Sequence, residues 1–121
     1  MSISYFIDNA NELVVCEASG TLTVDTVNKL RVDLMEDPEF TADMSLLFDM
    51  HAVKEFEIAP SEFEQIAADS VMSKTSMRAY VTPTDDVFGM LRIFASYSNA
   101  EAERFQIFRD MGQARRWLGI D

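Results

Sequence analysis

Cysteine is almost missing from these 121 residues. Cys16 stands alone, so no disulfide can form within the chain. That suits a reducing compartment. With no CxxC partner, Cys16 reads as a small buried hydrophobe in a strand. Histidine is equally scarce, and a metal site built on His51 would need further ligands. The four glycines form no phosphate-cradling loop. Basic residues are few: 10 Lys and Arg face 21 Asp and Glu, for a net charge of −11. Without a Lys/Arg cluster, the charge balance argues against nucleic acid or an anionic membrane surface as partner. The negative field favours solubility and basic partners and specifies none. No run reaches the ~18 apolar residues of a membrane span. The opening MSISYFIDNANE has neither a basic region nor a long apolar run. The expectation is therefore a soluble cytoplasmic protein without a signal peptide or membrane span.

What remains is a globular composition, 48% hydrophobic and 26% charged. The length fits one domain over 1–121, able to bury roughly 65% of its unfolded surface. Ile3 to Ile7 and Leu13 to Ala18 are β-rich runs around the turn cluster Asp8-Asn9-Ala10-Asn11-Glu12, which predicts a hairpin. Gly20 is expected to break the second run. A helix follows from an N-cap at Thr23, with Asp25 in its first turn and Val27, Leu30 and Leu34 on its apolar face. Leu22 and Val27 can form a hydrophobic staple, and Asp37-Pro38 ends the helix. Ser45 to Met50 is the most uniformly apolar strand, its Leu46, Leu47 and Phe48 not alternating with polar residues, which predicts a central strand covered on both faces. Further helices are expected over PSEFEQIAADSVM, over Asp85 to Ser98 behind a Thr84 cap, and over DMGQARRWLG. In the last, Asp110 caps with Gln113, Met111, Ala114 and Leu118 face inward, and Gly119 closes the end. Strands are expected at Met77 to Thr82 and Arg104 to Arg109. The order β-β-α-β-α-β-α-β-α predicts an α/β fold: a mixed, mainly parallel sheet with an N-terminal β-hairpin and helices packed on it.

Three constellations could carry function. Asp49 and His51 end the central strand, and Thr82 and Thr84 end its expected neighbour. Ligands gather at the carboxyl ends of strands in such sheets, so these four could line a polar pocket. Asp49 could orient His51 and raise its pKa, as a general base needs. However, no nucleophile is adjacent, and an Asp-x-His pair is also what a capped turn with a solvated histidine looks like. Ser61 with Glu64 reads as a capping box; Pro60 as first helical residue behind Ala59 is the other arrangement. Third, the helix 85–98 is apolar over an arc of about 220° at 100° per residue. Val87, Leu91, Phe94, Ala95 and Ser98 form its core stripe, Met90, Ile93 and Tyr97 a second stripe, and Phe88 the other flank. Gly89, Arg92 and Ser96 are what is left. A helix lying on a sheet needs only a little above 100°. The excess must meet neighbouring helices, a second subunit or an apolar ligand. Arg92, opposite the core stripe, is either solvated or ion-paired across an interface or with an anionic ligand.

The element order, the strand LLFDMH, the helix FGMLRIFASYS with Gly89 and Arg92, and the closing FQIFRDMGQARRWLG with Ala114, Trp117 and Leu118 resemble the SpoIIAA-like proteins. These are bacterial relatives of STAS domains and, more loosely, of CRAL-TRIO lipid-binding domains. The likeness spans nearly the whole chain. It implies a mixed sheet with helices against it and no established enzymatic activity. In STAS antagonists of anti-sigma factors, a serine within Asp-Ser-Ser-Gly is phosphorylated after the central strand. Here that place reads Glu57-Ile58-Ala59-Pro60, without the phosphorylatable serine. Ser61 would be a displaced acceptor, with Glu55, Glu57, Glu62 and Glu64 opposing a phosphate. The expectation is a non-catalytic, cofactor-free interaction domain, homodimeric and acting on a protein partner. The alternative is a binder of lipid or another small apolar ligand.

Overall fold

A computed structural model describes residues 2–120. The elements are β1 (Ser2–Asp8), β2 (Leu13–Thr23), α1 (Val24–Glu36), β3 (Ser45–Glu57), α2 (Pro60–Ala68), β4 (Arg78–Val81), α3 (Asp85–Ala95), a 3-10 turn (Ala102–Arg104), β5 (Phe105–Phe108) and α4 (Met111–Trp117). The five strands lie in sequence order. β1 pairs antiparallel with β2, and every later pairing is parallel. This is the expected mixed α/β sheet with its N-terminal hairpin.

Period-two alternation divides the sheet between two cores. Leu46, Phe48 and Met50 of β3 face one side with Leu34 of α1, Phe63 of α2, and Val87 and Leu91 of α3. Leu47 faces the other side, with Leu13, Ala79, Val81 and Ala114 of α4. A strand buried on both faces carries no polar alternation, which is why LLF reads as it does.

Local signals set the helix ends. Thr23 Oγ1 accepts the Thr26 N–H at 3.3 Å, and Thr26 Oγ1 accepts the Thr23 N–H at 3.1 Å. Asp110 accepts the Gln113 N–H at 2.8 Å. α4 closes through Gly119 at φ +78°, with the Gly119 N–H on the Arg116 carbonyl and the Ile120 N–H on that of Arg115.

Several boundaries depart from expectation. Gly20 does not end β2; it sits at φ +74° beside a register shift, and the strand continues to Thr23. β3 runs seven residues past Met50, because β2 residues 19–23 remain available to pair with it. Ser19 pairs with Ala52 after Glu17 pairs with Asp49, so β3 holds an extra residue there. α2 ends at Ala68, leaving Val71 and Met72 in a connecting segment that still packs on the core. α3 ends at Ala95, with Tyr97 in the following turn.

Candidate ligand cavity

The polar residues singled out in the sequence lie on several elements. Asp49 and His51 lie within β3 rather than in a loop, on the face that α4 partly covers, since Asp49 pairs in register with Val81. Asp49 Oδ1 accepts the His51 N–H at 3.0 Å and lies 2.7 Å from its Nδ1. The hydrogen bond that Asp49 accepts from the ring raises the His51 pKa above its usual value, and Asp49's charge adds to the effect. The ring stays exposed. Thr82 is buried, its hydroxyl 3.3 Å from that of Thr84. Thr84 occupies the N-cap position of α3, but its side chain makes no capping bond. Ser61 is exposed and is the second residue of α2, not its cap: Pro60 leads the helix, and Glu62 Oε1 accepts the Ala59 N–H at 2.9 Å. The reason is that Pro60 tolerates the first helical position, where its missing N–H costs nothing. Among the described residues, no hydrogen bond or ion pair joins Asp49 and His51 to Thr82, Thr84 or Ser61.

The broad apolar arc of α3 is largely consumed within the chain. The Arg109 guanidinium sits 4.3 Å over the Phe88 ring and is anchored to Asp85 Oδ1 at 2.7 Å. Met90 packs on the main core. Tyr97 meets Phe63 edge-on at 6.5 Å but stays 45% exposed, and Ile93 is 42% exposed. Arg92 is exposed beside them.

A cavity of about 110 Å³ lies on the other side of α3, above the sheet and between α1, α2 and α3. Its floor is Leu46 and Phe48 of β3 with Tyr80 of β4, Phe48 and Tyr80 stacked at 5.7 Å. Its walls include Val27, Leu30 and Leu34 of α1, Ile66 of α2 and Phe94 of α3. A second void of about 60 Å³ adjoins it and shares Val27, Phe48, Ile66, Tyr80 and Phe94.

Two arginines interrupt this apolar lining. Arg78, first residue of β4, is 3% exposed. Its Nη1 donates to Ser98 Oγ at 3.1 Å, and its Nη2 to the carbonyls of Ser73 at 2.8 Å and Met72 at 3.3 Å. Its Nε is buried and has no partner. Burial pushes its pKa below the usual arginine range, but a guanidinium keeps its charge in a protein. Arg31 of α1 lines the same cavity, with its Nη1 3.3 Å from Met35 Sδ and its Nε likewise buried without a partner. Neither arginine was singled out from the sequence. The one available signal was a basic residue inside the otherwise apolar strand MRAYV, next to the central strand.

Among the described residues no helix is long and apolar enough to cross a membrane, and no cluster of three metal-binding side chains occurs. No family model matches the chain, and no curated protein matches it. Among solved structures it is similar to an uncharacterised DUF3478-family protein with a SpoIIAA-like fold from Shewanella loihica PV-4. The TM-score is 0.66 at 17% identity, covering 97% of this chain and 94% of that one. At that identity the likeness speaks for the fold alone, and the fold of this chain is SpoIIAA-like.

Proposed function

We propose that this chain is a non-catalytic, STAS-like binding domain that holds a small apolar ligand between α1, α2 and α3. The observation that carries this reading is the cavity itself: about 110 Å³ with mostly apolar walls, adjoining a further 60 Å³. A dry apolar cavity of ~150 Å³ is enough to take up benzene. The ligand site is thus the inner stripe of α3, not the outer one that the sequence emphasised. The Asp49–His51 pair is a local contact between residues two apart in β3, with an exposed imidazole over a half-buried carboxylate. Ile58 stands where relatives keep a phosphorylatable serine, and it is 3% exposed within the core. The buried free thiol of Cys16 accords with a cytoplasmic setting.

Toluene, titrated into methyl-labelled protein, tests the reading. It should shift the Val27, Leu30, Leu34 and Ile66 methyl resonances saturably, and the Leu13 methyls of the opposite core should stay still. No saturable change at the cavity methyls overturns it. A second reading, self-association through α3, is favoured by the exposed Ile93, Tyr97 and Arg92 on one helix end.

A further inference from the structure

The apolar cavity contains more positive charge than its own chain answers. Arg78 is 3% exposed, yet among the described residues no carboxylate pairs with it, in a protein with 21 acidic residues. A buried charge is costly unless paired and hydrogen-bonded. Its terminal nitrogens are used on Ser98, Met72 and Ser73. Those partners are neutral, so the donors are partly satisfied while the charge is not. One donor, Nε–H, is buried without a partner, and so is the Nε–H of Arg31, whose side chain lines the same cavity.

We infer that the cavity binds a small organic carboxylate, with its apolar body on the Phe48–Tyr80 floor and its charge answering the buried guanidinium of Arg78, beside Arg31. Two facts choose this chemistry. The volume, close to that of a cavity that takes benzene, suits a body the size of one aromatic ring and is far below the 300 Å³ or more of larger ligand sites. The unpaired charge of Arg78 calls for one anionic group, whereas a phosphate brings more oxygens and charge into walls that offer it little else. The inference rests on the cavity identified in the reading above, not on its ligand being uncharged, and adds the headgroup.

Benzoate, with benzamide as its neutral isostere and toluene as the apolar body alone, tests both levels on the wild-type protein. The readouts are the arginine Nε–H resonances and the cavity methyls. Benzoate should bind about tenfold or more tighter than benzamide, since a hydrogen bond to a charged group outweighs a neutral one. It should move the Nε–H signals of Arg78 and Arg31 together. Arg31→Gln should reduce the benzoate preference severalfold while leaving toluene binding intact. Arg78→Gln is the weaker test, because Arg78 also ties the 72–73 carbonyls and can fail in folding. Equal affinity for benzoate and benzamide overturns the headgroup inference and leaves the apolar cavity standing. Benzoate binding with moving Nε–H signals but no toluene uptake supports the anion site and overturns the purely apolar reading. If no probe reaches the cavity, both fall.

Discussion

His51 shows how a single residue changes meaning with its surroundings. Asp49 lies 2.7 Å from its Nδ1 and favours the charged ring. A histidine whose folded pKa is raised adds stability below its unfolded value of ~6.5, and that stability is lost as pH rises through the raised folded value. The contribution is small and salt-sensitive because the ring is exposed. NMR titration should give a midpoint above 6.5, falling back to ~6.5 in Asp49→Asn; an unshifted wild-type midpoint contradicts the pair. The residue-level features that spacing reveals are those whose partner is close in sequence: Thr23 with Thr26, Asp110 with Gln113, Asp49 with His51. Arg78 is the opposite case. Its partners Ser98 and Met72 come from other segments, so only the packed chain shows that its charge is unanswered.

At the level of elements, the glycines separate backbone from packing. Gly119 holds φ +78° at the close of α4, and a methyl added there would meet nothing within 4 Å. Gly119→Ala should therefore destabilise by about 1–2 kcal/mol through backbone strain alone. Gly89 lies within α3, at an exposed position also free of neighbours within 4 Å. Gly89→Ala should stabilise by about 0.5–1 kcal/mol, because helical glycine loses more chain entropy. Urea unfolding of both variants checks the pair, and effects of the same sign would refute it. Element type was legible throughout, since each apolar period matches its core face. Lengths were less so. β3 extends to Glu57 because β2 keeps offering hydrogen-bond partners, and that depends on the neighbouring strand.

The whole molecule determines what covers an apolar face. The sequence shows an α3 too apolar for a sheet-packed helix, and three dispositions fit that excess. In the folded chain Arg109 takes Phe88 and the core takes Met90, leaving Ile93 and Tyr97. Other large apolar side chains, Phe6, Val32 and Met35, are exposed elsewhere. Two residues are a small seed beside the ~800 Å² per partner of a standard interface. If self-association through α3 operates, the mass measured by light scattering should rise with concentration, and Ile93→Glu should abolish the rise. A constant monomer mass into the high micromolar range removes that reading.

The sequence by itself determined the order of elements, the mixed sheet, the double burial of β3 and the caps at Thr23 and Asp110, because these depend on periodicity and on bonds three or four residues long. It also predicted the SpoIIAA-like fold. Only the tertiary structure decided that Asp49 and His51 lie inside a strand that runs on to Glu57, and that Ser61 sits inside α2 behind Pro60. It alone placed two arginines with spare donors in an apolar cavity. The physical reason is the same in both cases. A site is a meeting of side chains from distant segments, and whether a charge is answered depends on every element packed around it.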